Sequence, residues 1–263
     1  MKNMKNMNNT KSRKVLKILA GVTAILLISG ILFITNAFVG NPLSSMMANK
    51  AIEEYVGRNY AFLDLELDGA NYDFKTGGYR VYAKSKTSVD TRFSIYYYNG
   101  EVKRDDYQIY VVEKFNTINR LISEYSLIAK NIIADELGYE SNTTFVIQGK
   151  DSSESYAEIL ELDMKFDKAV QIDPEVTIQI KSEDFSLEYV ATVLTQAHEA
   201  FRANDCIFKK YGFYAYGKET NIMVIGVTPE DIESGKLLSL LKTAEENGDN
   251  VSERGIIVYR KGE

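Results

Sequence analysis

Residues 18–39 read ILAGVTAILLISGILFITNAFV, a run of 22 residues without a charge. As an α-helix this run would be roughly 33 Å long, which is enough to cross a hydrocarbon core of about 30 Å. From residue 40 onward, the chain has the mixed polar and apolar composition of a water-soluble protein. The sequence therefore predicts a transmembrane helix over residues 18–39, followed by a much longer soluble part.

The segment before the apolar run, residues 1–17, contains six cations and no acid, which predicts the orientation of the helix. Cationic segments beside the first span stay cytoplasmic, so we expect a single-pass protein with its soluble part outside the cell membrane. The alternative is a cleaved signal peptide, which has a shorter apolar region and ends at a small-residue cleavage site. We favour an uncleaved signal anchor, because residues 36–39 (NAFV) form a poor cleavage site. The six cations are Lys2, Lys5, Lys11, Arg13, Lys14 and Lys17.

Charge is unevenly distributed along the chain, which has 31 basic and 37 acidic residues. Without the six N-terminal cations, 25 basic and 37 acidic residues remain, a net charge of −12. Most of this acidity belongs to residues 140–263, whose net charge is −10, compared with −2 for residues 41–139. An acidic surface repels phosphate backbones, so we expect no nucleic-acid partner and regard anionic envelope polymers as disfavoured partners.

The chain contains one cysteine, Cys206, and one histidine, His198. A single cysteine excludes an intramolecular disulfide, and a single histidine excludes a metal site built from several imidazoles. The two side chains could form a thiolate–imidazole pair for nucleophilic catalysis. However, His198 falls at the edge of the apolar face of its predicted helix, and Cys206 begins a predicted strand. We interpret both as structural residues, and we predict no metal and no cofactor.

Residues 41–139 are predicted to form a first α+β domain. Asn41 and Pro42 suit the N-cap and the first turn of a helix that Gly57 would end. Alternation of polar and apolar residues then indicates antiparallel strands, because strand side chains point to opposite faces in turn. The predicted strands cover residues 63–68, 79–84 and 92–98.

The dipeptide Asn99-Gly100 is a strong signal for a two-residue hairpin turn, which would lead into a short strand near residues 101–104. Helical periodicity follows and predicts one long helix over residues 107–137, ended by Gly138. A helix of this length would pack on both halves of the chain.

Residues 140–263 are predicted to form a second, acidic α+β domain with an antiparallel sheet. Two strands come first, and the following order is strand, helix, strand, strand, helix, strand. This is the order of the ferredoxin-like (βαββαβ) or split βαβ arrangement, so the predicted fold class is α+β. The first two strands cover residues 144–148 and 160–166; the later elements cover residues 176–180, 186–203, 206–216 and 222–227, a helix from Thr228, and residues 255–259.

Five aromatic and cationic side chains fall on one face of the first predicted sheet. Tyrosine and arginine anchor many protein interfaces, so this face is our candidate binding surface for a partner or ligand, with a protein partner at the outer membrane surface as one hypothesis. The structural alternative is that another part of the same chain covers it. The five residues are Arg80, Tyr82, Arg92, Tyr96 and Tyr98.

Two adjacent carboxylates, Asp105 and Asp106, could bind a metal ion. Neighbouring carboxylates in front of a helix are better explained as a cap that interacts with the helix dipole. If the chain were an enzyme, Asp90 and Asp106 would be our candidate catalytic residues.

Several short motifs give the chain a family resemblance. They are Gly40-Asn41-Pro42-Leu43-Ser44, Tyr72-Asp73-Phe74-Lys75 with Gly78-Tyr79, Ser88-Val89-Asp90-Thr91-Arg92-Phe93, Asp105-Asp106-Tyr107, and Asn116-Thr117 with Arg120-Leu121. In their combination the chain resembles the YfjL-like family of small single-pass membrane proteins of Gram-positive bacteria, which have N-terminal and C-terminal extracytoplasmic domains. The resemblance covers roughly residues 15–140 well and the rest loosely. It implies no activity, because the family is uncharacterised and offers no catalytic residues to carry over.

We therefore expect a membrane-anchored extracytoplasmic protein of the bacterial envelope that binds or senses a partner without catalysis. The alternative is an envelope hydrolase or another enzyme that uses carboxylates. A deep pocket with converging Asp or Glu side chains would favour the enzyme, and an exposed aromatic sheet face would favour binding.

Overall fold

The computed structural model describes residues 2–149, 156–170, 172–248 and 255–262. The chain divides into two compact units, Met1–Gln108 and Ile109–Glu263. Within the described residues, each unit contains a five-stranded sheet. The predicted α+β fold class is confirmed.

The first element is helix α1, which spans Lys2–Val39. Among the described residues, its segment Val15–Asn36 is the one helix stretch with the length and composition of a membrane span, with 22 residues and a mean hydropathy of 2.5. None of this segment is buried. An exposed apolar surface of this size is unfavourable in water, so this helix is a candidate membrane anchor.

Helix α2 spans Pro42–Asn59 and begins as predicted. The side-chain oxygen of its N-cap, Asn41, accepts a hydrogen bond from the backbone N–H of Ser44 (2.8 Å). The predicted end at Gly57 is wrong, because this glycine keeps a helical conformation and the C-cap is Tyr60.

The first sheet has the strand order β1-β3-β4-β5. Strand β1 pairs with the C-terminal end of β3, and β2 pairs with the N-terminal end of β3. All pairs are antiparallel, and α2 packs on β3, β4 and β5. Buried and exposed side chains alternate along β3 and β4 as predicted. Strand β2 was not predicted, because three residues are too few to show a period. The strands are β1 Leu65–Leu67, β2 Asn71–Asp73, β3 Gly78–Ser85, β4 Arg92–Tyr98 and β5 Glu101–Asp105.

The segment that joins α1 to α2 packs closely against this sheet. Gly40 has a φ of 72°, in the left-handed region that favours glycine. A Cβ atom at Gly40 would lie 2.8 Å from both the Cγ of Tyr72 and the hydroxyl oxygen of Tyr79, so a side chain does not fit. The Tyr79 hydroxyl donates to the Asn41 carbonyl oxygen (3.1 Å) and accepts from the Asn41 backbone N–H (3.2 Å). These contacts attach the end of α1 to β2 and β3.

The predicted unbroken helix over residues 107–137 is wrong. A short π-helical segment spans Gln108–Val112, and helix α3 spans Phe115–Leu137. Between them, Lys114 has a φ of 62°, a left-handed conformation that interrupts the helix. Helix α3 ends at Gly138, as predicted.

The sequence placed this helix in residues 41–139 and expected it to pack on both halves. In the structure, its buried face is part of the core of the second unit. That face includes Tyr125, Ala129, Ile132 and Ile133.

The second unit contains a sheet with the strand order β10-β9-β8-β7-β6. Its core lies between the sheet and α3, α5 and α7. The strands are β6 Phe145–Gln148, β7 Pro174–Lys181, β8 Lys210–Tyr216, β9 Asn221–Val227 and β10 Ile257–Lys261, and the helices after α3 are α4 Tyr156–Ile159, α5 Leu187–Ala203, α6 Pro229–Glu233 and α7 Leu237–Glu246.

The ferredoxin-like prediction is not confirmed for this unit. The element order from β7 to β10 matches it, but the strands follow one another across the sheet in chain order. Strands β7 and β8 are direct neighbours and parallel, so the βαβ unit is not split and the sheet is not purely antiparallel. Helix α5 supplies the crossover that a parallel pair needs.

Two further predicted elements of this unit are wrong. Residues 160–166 form no strand: the chain turns at residues 162–163, where Asp163 adopts a left-handed φ of 61°, and is irregular on either side. Their apolar residues still find a core, since Leu160 packs with Ile118 on α3. The predicted helix from Thr228 is two helices, α6 and α7, separated at the left-handed Gly235.

The position of α3 predicts which fragment folds. We expect the fragment Ile109–Glu263 to unfold cooperatively in urea, and a fragment that begins at residue 140 to show no cooperative transition. Loss of the buried Tyr125 ring alone should cost about 3–5 kcal/mol, by analogy with other large aromatic truncations, against a total stability of about 5–15 kcal/mol. Far-ultraviolet circular dichroism measures both transitions. Cooperative unfolding of the shorter fragment would show that this core does not need α3.

Candidate functional site

A groove of about 650 Å³ lies on the first unit, between the turn that joins β2 to β3 and the neighbouring strands β4 and β5. Cationic and aromatic side chains dominate its lining. Asp73 is the only carboxylate among the described residues that line it. The cations are Lys75, Arg80, Lys103 and Arg104, and the aromatic residues that are not fully buried are Tyr72, Phe74, Tyr96 and Tyr98.

Strand register places three of these side chains in one row across the sheet. Arg80 on β3 lies opposite Tyr96 on β4, which lies opposite Arg104 on β5. The guanidinium carbon of Arg104 is 4.0 Å from the centroid of the Tyr96 ring, which is cation–π geometry. Arg80 is exposed and forms no ion pair with the described part of the chain. The row therefore presents an aromatic ring flanked by two guanidinium groups.

A β-bulge explains why two consecutive cations line the groove. Tyr96 pairs with Arg104 and Tyr97 pairs with Val102, so Lys103 is an extra residue on β5. Side chains alternate in a regular strand, but a bulge re-aims them. Lys103 and Arg104 are both exposed and both line the groove. Sequence periodicity alone could not find these two residues.

Asp106 supports the centre of the row from a buried position, since it is only 9% exposed. It accepts hydrogen bonds from the Tyr96 hydroxyl (2.8 Å) and from Nη1 of Arg104 (2.9 Å). Burial and the hydrogen bond to Asp106 raise the pKa of Tyr96, so its hydroxyl stays a neutral donor. Asp106 therefore positions the ring and the guanidinium group.

Asp105 contacts α2 instead. Its Oδ2 accepts hydrogen bonds from the hydroxyls of Tyr55 (2.5 Å) and Tyr60 (2.7 Å), and its Oδ1 accepts from the backbone N–H of Tyr107 (2.9 Å). Burial, together with hydrogen bonding to Asp105, raises the pKa of both tyrosines. The two adjacent carboxylates thus have different partners, and the described residues contain no group of three or more metal-ligating side chains.

The groove brings together three of the five predicted binding residues, Arg80, Tyr96 and Tyr98. Tyr82 and Arg92 lie farther along β3 and β4, outside the groove. Arg80, Arg92 and Tyr98 are exposed, whereas Tyr82 and Tyr96 are half-buried.

Asp90, the other carboxylate considered for catalysis, is fully buried in the loop between β3 and β4. A backbone hydrogen bond from Ser85 to Thr91 (2.8 Å) closes this loop. Neither Asp90 nor Asp106 lines the groove.

His198 lies in the second unit, in a chain of hydrogen bonds between α5, β8 and α6. Its Nδ1 is 2.8 Å from the Tyr211 hydroxyl oxygen, and its Nε2 is 3.1 Å from Oε1 of Glu233. The same Glu233 oxygen accepts a hydrogen bond from Arg202 (2.8 Å). His198 is buried, and burial raises the pKa of Tyr211.

Cys206 does not form the catalytic pair considered above. Both ring nitrogens of His198 already have partners, Tyr211 and Glu233. The Cys206 thiol is buried and contacts the carbonyl oxygen of Asn204 (3.5 Å), and burial raises its pKa, which disfavours the thiolate.

Two sequence models of one family match the chain. The model described as YfjL-like, N-terminal domain matches residues 15–106, and the model described as YfjL-like C-terminal domain matches residues 124–242. The chain belongs to the YfjL-like family. The groove lies in the YfjL-like N-terminal domain, and the His198 chain lies in the YfjL-like C-terminal domain. No curated protein and no solved structure shows significant similarity to the chain.

Two neighbouring tyrosines on β4 of the YfjL-like N-terminal domain can be used to test which face of the sheet is exposed to solvent. Tyr97 is 7% exposed and Tyr98 is 42% exposed. We expect Tyr97→Ala to lower the free energy of unfolding by about 3 kcal/mol or more, because it leaves a cavity. Tyr98→Ala should change it by only about 0.5 kcal/mol. Denaturant unfolding of the full chain in detergent measures both, and equally large losses would mean that Tyr98 is also core.

Proposed function

We propose that this YfjL-like protein is anchored in the cell membrane by α1 and carries both soluble units on the extracytoplasmic side. The exposed apolar segment Val15–Asn36 supports the anchor. The six cations before it, without an acid among residues 1–17, support the orientation.

We further propose that the groove of the first unit is a non-catalytic binding surface. The row of Arg80, Tyr96 and Arg104 carries this proposal, because it presents guanidinium donors beside an aromatic ring. Arginine and tyrosine contribute strongly to binding at interfaces. The positive charge of the groove contrasts with the net charge of −6 of the whole chain.

The alternative, an enzyme that uses carboxylates, has less support from the geometry. General acid–base catalysis needs carboxyl groups within hydrogen-bond reach of one substrate. Asp106 accepts hydrogen bonds from Tyr96 and Arg104, and Asp105 accepts them from Tyr55 on α2 and from Tyr60 at the C-cap of α2. Their hydrogen bonds are those of structural acceptors.

Single cysteines test the orientation, in a Cys206→Ala background that removes the buried native thiol. Lys218 lies in the exposed turn between β8 and β9, and Asn8 precedes the apolar segment. We expect Lys218→Cys to react with a membrane-impermeant maleimide in intact protoplasts, and Asn8→Cys to react only after permeabilisation. The reverse pattern would mean that the soluble units are cytoplasmic. Reaction of both sites in intact protoplasts would mean that the chain does not span the membrane.

A further inference from the structure

We propose that the groove binds the phosphate-bearing headgroup of an anionic phospholipid from the membrane that contains α1. This inference rests on the proposed function, because only a membrane-embedded α1 brings lipid to the groove.

The position of the groove is the first argument, since it begins where the apolar helix ends. The ring of Phe38, in the last turn of α1, has its centroid 5.9 Å from that of Phe74, which lines the groove. Both rings are largely exposed, at 63% and 56%. Exposed apolar rings beside the end of a span can bury their surface at the boundary between headgroups and acyl chains. The groove would therefore lie at the level of the lipid headgroups.

The rigidity of the junction is the second argument. The Tyr79 hydroxyl makes two hydrogen bonds with the backbone of Asn41, and Tyr72 packs against Gly40, where a Cβ atom would not fit. Both tyrosines also line the groove. Tyr79 directly precedes Arg80 on β3, so the strand that is attached to the helix end also carries a cation of the groove. The groove therefore cannot turn away from the membrane without breaking these contacts.

The charge of the groove is the third argument. Lys103 pairs with Glu101, and Arg104 pairs with Asp106, whereas Arg80 has no ion-pair partner in the described part of the chain. Arginine carries five N–H donors, so Arg104 keeps donors for a ligand while it binds Asp106. Guanidinium groups match the geometry of phosphate oxygens well. An anionic headgroup fits this groove even though the whole chain has a net charge of −6.

A lipid is favoured over a free anion because aromatic residues lie beside the cations. A headgroup in the groove would present its phosphate to Arg80 and its glycerol and first methylene groups to the exposed ring of Phe74. A free phosphate would use only the cations. The continuity of this aromatic surface with Phe38 and α1 points to the membrane as the source.

Fluorescence quenching can test the headgroup at this place, because the chain has no tryptophan. The full chain with Phe38→Trp is reconstituted in phosphatidylcholine vesicles that contain a small fraction of bromine-labelled lipid, either phosphatidylglycerol or phosphatidylcholine. We expect labelled phosphatidylglycerol to quench the introduced tryptophan severalfold more effectively. Arg80→Gln should reduce this preference about fivefold, the contribution of one cation near a charged lipid surface. Arg58→Gln, which removes an exposed cation from the last turn of α2, is the matched control and should leave the preference unchanged.

Each remaining outcome has a defined meaning. Equal quenching by the two lipids, unaffected by Arg80→Gln, would overturn the headgroup proposal while the membrane anchor stands. Quenching by neither lipid would mean that α1 is outside the bilayer, and the proposed function would fail with it. Loss of the preference on addition of inorganic phosphate, but not of sodium chloride at the same ionic strength, would show that the groove takes a free anion, and would overturn the lipid as its ligand. Thermal unfolding of Arg80→Gln and Arg58→Gln should match the parent chain, because both side chains are exposed.

Discussion

The position of the groove depends on one contact, the two hydrogen bonds between the Tyr79 hydroxyl and the backbone of Asn41. They attach the start of α2, and with it the end of α1, to the first sheet. The contact requires glycine at position 40, because the left-handed backbone and the nearby tyrosine rings leave no room for a Cβ atom. A flexible linker would let the soluble unit turn freely above a membrane. This junction instead gives the groove a defined place at the end of the apolar helix.

The charge of the whole chain is a poor guide to the charge of this site. Averaged over the surface, the net negative charge disfavours phosphate-bearing partners, and this average was the basis of the expectation from the sequence. Electrostatic attraction in water at physiological salt decays within about 8 Å, so the side chains around a ligand decide whether it binds. Among the described residues that line it, the groove collects four cations and one carboxylate. Its bulged strand contributes two of them, Lys103 and Arg104.

Features that depend on neighbouring residues could be predicted from the sequence. The apolar run, the Asn41 cap, the alternation on β3 and β4, and the turn at Asn99 all result from local chemistry. The strand order of the second unit, the interruption at Lys114 and the irregular course of residues 160–166 depend on contacts distant in sequence, which periodicity does not report. The site divides in the same way. Alternation identified Arg80, Tyr96 and Tyr98, whereas Lys103 and Arg104 needed the bulge, and Phe74 needed the fold around α1.

The most direct test of the account is the depth of the groove rim relative to the bilayer. Phe74→Trp places a reporter on the rim, and Val89→Trp places one of similar exposure, 56% against 59%, in the loop at the other end of β3. An eight-residue strand, about 25 Å long, separates the two ends. In vesicles whose lipids carry bromine near the headgroup, we expect strong quenching and a blue-shifted emission for Phe74→Trp, and little change for Val89→Trp. Absence of quenching for Phe74→Trp, while a tryptophan at Phe38 is quenched, would contradict the claim that the groove lies at the membrane surface.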